Sequence, residues 1–281
     1  MIKTPLSTVI GGAFWTPGAV QIGSSSKNLS QLIKSLFSLG EQVFAYDPND
    51  LTTLYQDAAG AIPVTAAGQP VGLVKDKSGR NNHAYQTVSA SRPILQRNEV
   101  TGAYYLAFDG VDDFLQTNNI DFTATDKVSL FAGIKEVSSG IQVIAELGAD
   151  TATNQGTYLF SLEGSKYTFK SRGSVNLVAV QSASTQVVTV PDLSVVSARG
   201  NISGDSNTIK RNGINGSPST GDLGLGNYGN HPLYIGRRAG TSLPFNGHLY
   251  SLIIVGRLTT DNETKRIESE LAKLTGVTLN V

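Results

Sequence analysis

The chain has no cysteine among its 281 residues, and only one methionine and one tryptophan. The first absence excludes disulfide frameworks, thiolate zinc sites and thiol nucleophiles. Neither sign of charge prevails, since 22 Lys and Arg face 22 Asp and Glu. Such a chain has no long-range field to gather phosphate backbones or anionic lipid, so a nucleic-acid partner is not expected. No window approaches the roughly 20 apolar residues of a membrane span, so membrane insertion is not expected either. The apolar run from Val9 to Trp15 is short, glycine-rich and bracketed by Pro5 and Pro17, which does not read as a signal peptide. Charged residues make up 16% of the chain and hydrophobic ones 40%. The remainder, rich in Gly, Ser, Thr and Asn, favours short strands joined by many turns over a helical bundle.

Residues 1–42 differ in pattern from the rest of the chain. Met1 to Ser26 lacks sustained periodicity and ends in Gly23-Ser24-Ser25-Ser26, the composition of an arm or linker. Leu29, Leu32, Ile33, Leu36 and Phe37 then fall at helical spacing behind Asn28 as N-cap, with Gln31 at the capping-box position and Gly40 as the stop. Two readings stand side by side. The arm and helix pack on the main domain, or they form an attachment segment that docks into a neighbouring subunit through Phe14, Trp15, Leu32, Leu36 and Phe37. The second implies that the rest folds without residues 1–42.

From Val43 onward, β-prone runs of strand length recur, among them Val128 to Ile134, Gln142 to Leu147, Thr157 to Leu162, Tyr167 to Ser171, Ser194 to Arg199 and Leu249 to Val255. Asn212-Gly213 is the strongest hairpin signal. Ten or more such strands predict a mainly β fold, a two-sheet antiparallel sandwich or jelly roll over residues 43–281. One further helix closes the chain, with Thr260 and Glu263 as a capping box, Ile267, Leu271 and Leu274 as its apolar stripe and Gly276 at C′.

Two loops carry chemistry. Asp76-Lys77-Ser78-Gly79-Arg80-Asn81-Asn82-His83 and Asp109-Gly110-Val111-Asp112-Asp113 are tight-turn sequences whose side chains bond neighbouring backbone. Their oxygens also suit a hard cation or a sugar. Candidate ligand-binding residues are therefore Asp76, Asn81, His83, Asp109, Asp112 and Asp113. Calcium, if bound, would use Asp76, Asn81, Asp112 and Asp113, and no cofactor is required. Arg237-Arg238 reads as a solvated or salt-bridged pair, and Tyr228, Tyr234 and Tyr250 as half-buried strand tyrosines or sugar-stacking rings.

Those two loops, followed by Ile209-Lys210-Arg211-Asn212-Gly213, Leu233-Tyr234-Ile235-Gly236 and Phe245-Asn246-Gly247-His248-Leu249-Tyr250, resemble in order the signatures of laminin-G-like, concanavalin A-like jelly rolls. Tyr46 to Asp57 and the ending Leu274 to Leu279 resemble the versions carried by tailed bacteriophages. Val74 stands where those relatives commonly carry tryptophan. The resemblance covers residues 43–281 and implies a virion structural protein of tail, fibre or capsid decoration. Its implied partners are other virion proteins, copies of itself and bacterial surface glycan. It also leaves a soluble calcium-dependent lectin and a diverged glycan hydrolase as alternatives, because one sandwich hosts many functions.

No enzymatic activity is expected. Glucanases of this fold set two carboxylates on one strand face as Glu-x-Asp-x-x-Glu, which the chain lacks. Glu136, Glu146 and Glu163 are isolated, and Glu263, Glu268 and Glu270 read as a solvated helix face. His83, His231 and His248 have no metal spacing, and a Gly-x-Ser-x-Gly elbow is absent.

Overall fold

The computed structural model describes residues 9–10, 13–14, 29–37, 40–175 and 181–280. Among them, eight strands form one sheet and nine form another, and every pairing is antiparallel. The eight-stranded sheet runs Ile214–Asn215, Ser206–Arg211, Asp192–Asn201, Lys127–Glu136, Asn246–Val255, Tyr104–Asp109, Ile94–Arg97. Asn246–Val255 has Lys127–Glu136 along one side. Along the other it shares its length, with Tyr104–Asp109 on its first half and Val43–Tyr46 on its second. The nine-stranded sheet runs Gln181–Ser184, Lys166–Arg172, Thr157–Glu163, Gln142–Leu147, Asn230–Ile235, Leu115–Asp121, Ala84–Tyr85, Leu73–Val74, Leu54–Tyr55.

Strand periodicity divides the side chains into layers. Phe44, Leu130, Ala132, Val196, Leu252 and Ile254 of the first sheet meet Tyr158, Phe160, Phe169, Leu233 and Ile235 of the second in the inter-sheet core. The alternate residues Val43, Ala45, Phe131, Val195, Ile253 and Val255 face outward into a second core with two helices, α1 (Leu29–Leu36) and α2 (Asp261–Thr275). Burial on both faces is why these strands read as nearly continuous apolar runs, where a half-solvated antiparallel strand would alternate. Close seating of α2 needs Gly133, where a Cβ would stand 3.0 Å from Thr275 Cγ2 and 3.3 Å from Tyr250 Cβ.

The local signals of α2 and of the hairpin are realised, while Asn28, the expected N-cap of α1, lies outside the described residues. Thr260 Oγ1 accepts from Glu263 N while Glu263 Oε2 accepts from Thr260 N, and Gly276 closes α2 at φ 82°. Asn212 and Gly213 turn their hairpin at φ 52° and 82°. Glu268 is a correction: it is buried, not solvated, and accepts from Ser197 Oγ across the helix–sheet seam.

The helix at 29–36 packs on its own sandwich. Leu32 and Leu36 are each 1% exposed within the second core, and Phe37 packs at its edge. Their apolar surface is therefore already used inside this chain and is not free to dock elsewhere. Arg257 ties the arrangement together. Its guanidinium donates to Glu41 at 2.7 Å, to the Leu36 carbonyl at 3.3 Å and to Glu263 at 2.7 Å, joining the end of α1 to the start of α2. Of the arm, Val9–Ile10 and Ala13–Phe14 pair as two short strands, whereas Trp15 and the Phe14 side chain lie outside the described residues.

Among the described residues, the inter-sheet core holds a charged cluster. Asp192 accepts from Tyr167 Oη at 2.9 Å and pairs with Arg211. Opposite it in register, Glu136 is fully buried with neither carboxylate oxygen hydrogen-bonded. Burial first, then the charge of Asp192, pushes the Glu136 carboxyl up to about 9, so it is a neutral acid at pH 7.

Because α1 covers the outer face of the sheet, Leu32→Ala should lower unfolding stability by about 2–4 kcal/mol through cavity formation. Urea denaturation checks this. An unchanged midpoint would show that the helix adds nothing to the folded domain.

Candidate functional site

Asp76 is a structural clamp. Its Oδ1 accepts from Ala45 N and Ser78 N, both at 2.9 Å, and its Oδ2 from Ser78 Oγ at 2.5 Å and Asn82 N at 3.1 Å. Buried and four times bonded, it pins the loop onto strand Val43–Tyr46 and has little capacity left for a cation. His83 accepts from Asp76 N through Nδ1 at 3.0 Å. Burial, countered in part by Asp76, lowers its pKa, so the ring is the neutral Nε2–H tautomer. Asn81 is exposed and supplies a left-handed turn residue at φ 62°. The neighbouring Asn82, which sequence reading did not single out, carries the bonds: Nδ2 donates to the Val43 carbonyl at 2.7 Å and to Gln42 Oε1 at 3.0 Å.

The second loop gathers three carboxylates. Asp109, Asp112 and Asp113 each offer an oxygen within 4.8 Å of the others. Asp109 Oδ1 accepts from Val111 N at 2.8 Å and more weakly from Asp112 N and Asp113 N, an Asx turn. Asp112 accepts from Ser91 Oγ at 2.6 Å, and Asp113 from Asp109 N at 3.0 Å. Asp76 does not join this group. The predicted calcium set of Asp76, Asn81, Asp112 and Asp113 is thus split between two loops, with Asp76 spent on its own. Burial and then the charge of Asp109 raise Asp113 to about 6.

A different place has the shape of a binding site. In Thr157–Glu163 and Lys166–Arg172, alternation sends Tyr158, Phe160, Tyr167 and Phe169 into the core. Leu159, Ser161, Glu163, Thr168 and Lys170 therefore stand on the other face. Over that face lies a groove of about 260 Å³ lined by Ile141, Val143, Thr151, Ala152, Leu159, Glu163, Lys170, Arg238 and Leu243. One wall is the turn that follows Gln142–Leu147. The other is the loop 236–245, closed on itself by Arg238 N to Ser242 O at 2.9 Å and Phe245 N to Gly236 O at 2.8 Å. That loop holds Ala239 at φ 49° and Leu243 at φ 51°. A leucine there is strained, and strained backbone concentrates at functional sites.

The polar groups of the groove are locked together. Arg238 forks onto Glu146, with Nε to Oε2 at 2.9 Å and Nη2 to Oε1 at 3.2 Å, and its Nη1 lies 3.4 Å from Asp150. Glu146 is fully buried and also accepts from Thr151 N at 2.7 Å and Thr151 Oγ1 at 2.8 Å. Desolvation still outweighs these partners and raises its pKa. Lys170 Nζ meets Glu163 Oε2 at 2.7 Å, while Ser161 donates to Glu163 Oε1 at 2.9 Å. Beneath, both Arg172 Nη groups donate to the Ala152 carbonyl at 3.3 Å, while its buried Nε has no partner. A larger depression of about 410 Å³ lies between α1, α2 and the Asp47–Asp50 turn, but its two lysines are already held, Lys77 by Asp47 and Asp50 and Lys273 by Glu270.

Sequence reading missed Glu146, Glu163, Lys170 and Thr151 as neighbours. The one available signal was the polar alternation of the two strands. The Arg238–Glu146 fork spans 92 positions and has no local signature. Arg238 is salt-bridged, one of the two outcomes expected for the arginine pair. Tyr228 and Tyr250 are buried, which leaves them no sugar to stack on.

No protein-family model and no curated protein matches this chain. Solved structures do. The ligand-binding domain of botulinum neurotoxin serotype D, in complex with N-acetylneuraminic acid, has a TM-score of 0.53 at 12% identity over 85% of this chain and 52% of that one. The serotype D binding domain gives 0.55 at 10% identity, over 82% and 51%. Botulinum neurotoxin type C, which enters cells dependent upon interaction with two ganglioside molecules, gives 0.53 at 12%, over 82% and 51%. This chain spans about half the length of each. At such identity the likeness establishes the fold, a jelly-roll sandwich.

Two measurements check the loop assignments. Asp76→Ala strands buried amide donors and should cost about 2–4 kcal/mol. For Asp113, the folded pKa of about 6 exceeds the unfolded value of 3.8, so the folded state keeps an extra proton between those values. Stability from this group is present below the window and falls as pH rises through it. Asp113→Asn should therefore raise the thermal midpoint over the parent at pH 7 but not at pH 4. Equal shifts at both pH values would contradict the assignment.

Proposed function

We propose that this chain is a non-enzymatic, glycan-binding β-sandwich that serves as a structural component of a tailed-phage virion. The observation that carries the binding half is the groove over the nine-stranded sheet. It is concave, has an aliphatic floor and is rimmed by pre-organised polar side chains, the general character of a small-ligand site. The fold neighbours bound to sialic acid or dependent on gangliosides support a sugar as the ligand. The non-enzymatic reading is supported by how the groove's carboxylates are used. Glu146 and Glu163 have both oxygens committed to Arg238, Thr151, Ser161 and Lys170, so neither is free to donate or take a proton at a glycosidic oxygen.

The virion half rests on the phage-like order of motifs. On this reading the domain is assembled with other virion proteins and copies of itself, and attachment falls to residues before Leu29, since α1 is used within the domain. A calcium-dependent lectin is the second reading, favoured by the three carboxylates of the Asp109 turn. A calcium titration that raises the thermal midpoint, and loses that effect in Asp113→Asn, would support it.

Binding should appear on a glycan array and weaken about fivefold or more in Leu243→Ser, without release of shorter sugars from the bound polysaccharide. Mass spectrometry of density-purified phage particles checks the virion half. Absence of the protein from particles, or sugar binding untouched by Leu243→Ser, would refute the corresponding half.

A further inference from the structure

The charges around the groove balance and close on one another. Glu163, Lys170 and Arg238 line the groove, Glu146 and Asp150 meet Arg238, and Arg172 meets Ala152, which makes three acids against three bases among the groups that line it or touch its lining. Arg238 is bonded to Glu146 and lies 3.4 Å from Asp150, and Lys170 is bonded to Glu163. Arg172 spends both Nη groups on a backbone carbonyl and is buried. The nearby Arg237 donates to the Thr241 carbonyl and does not line the groove. A carboxylated or sulfated ligand entering here would find no uncommitted guanidinium fork. To bind, it would have to displace Glu146 or Glu163 from its cation and leave that carboxylate unpaired, a costly exchange for the buried Glu146. The remaining surface is aliphatic: Val143 and Leu159 below, Ile141 and Leu243 at the rim. Such a surface suits the C–H face of a sugar ring, and the Glu163–Lys170 pair that lines the groove suits its hydroxyls.

Resting on the groove reading above, we infer that the ligand is an uncharged oligosaccharide, and that the closed ion pairs select against acidic glycans. Discrimination here works by repulsion and desolvation, with Glu163 receiving hydroxyls and turning anions away.

The experiment is a binding series on the full chain with matched probes: lactose against sialyllactose, and cellohexaose against hexagalacturonic acid. Calorimetry on the best probe is then run at about 50 and about 500 mM NaCl. The expected result is capture of a neutral probe, at least about tenfold weaker binding of its acidic counterpart, and less than about twofold change with salt. Glu163→Gln gives the groove one net positive charge and should narrow that tenfold preference. Ile141→Ser, at a rim position that is 57% exposed, should weaken the neutral probe about fivefold with an unchanged thermal midpoint. Tighter binding of the acidic probes, or affinity that falls steeply with salt, overturns the inference while leaving the groove as the site. Probe binding that Ile141→Ser does not weaken, or no binding of any probe, overturns the groove reading and this inference with it.

Discussion

Strand Asn246–Val255 has to be covered on both faces, and the rest of the architecture depends on meeting that demand. Leu249, Leu252 and Ile254 require the opposing sheet, while Ile253 and Val255 require the helical layer. Burial of apolar surface at about 25 cal/mol per Å² is the main favourable term in folding, and here it acts through three layers. The helix pair, the glycine at 133 and the Arg257 clasp are all consequences of putting a lid on the outward side of one sheet.

The nine-stranded sheet is treated differently. Part of its outer face stays open, and its charges are reconciled locally instead of being covered by a helix. Glu146 is fully buried only because Arg238 reaches it in a fork, and Arg238 is delivered by a loop whose backbone includes a left-handed leucine. A surface built this way has its charges paired with one another. The charged cluster inside the sandwich follows another rule: Asp192 is paired with Arg211, while Glu136, without a partner, gives its charge up.

How much of this was legible beforehand depends on the distance over which each feature is decided. The α2 capping box, the Asn212-Gly213 turn and the strand runs are local, and they were readable from residue type and spacing. The sandwich was readable because its signatures recur in a known order. The role of Asp76 was half legible: its sequence spelled a turn, but whether the carboxylate faced a cation or strand Val43–Tyr46 was settled by contacts about thirty positions away. The amphipathic stripe of α1 announced that it needed a partner without saying which. Glu268 misled because a helix stripe drawn from apolar residues alone cannot show a serine waiting on the sheet. The groove was the least legible feature, since it is assembled from three separated segments.

The pairing of Val43–Tyr46 with Asn246–Val255 has a consequence for how the molecule is made. Ser251 bonds the Tyr46 carbonyl across 205 positions, so the first strand of the sheet must wait for the last. At roughly 5–20 residues per second of synthesis, that wait is about 10–40 s. During it, Val43–Tyr46 has no sheet partner and α2, the second helix of the lid, is not yet made. A nascent chain of this design exposes one edge of its central strand pair for tens of seconds, the interval in which unpaired strand edges are open to wrong partners.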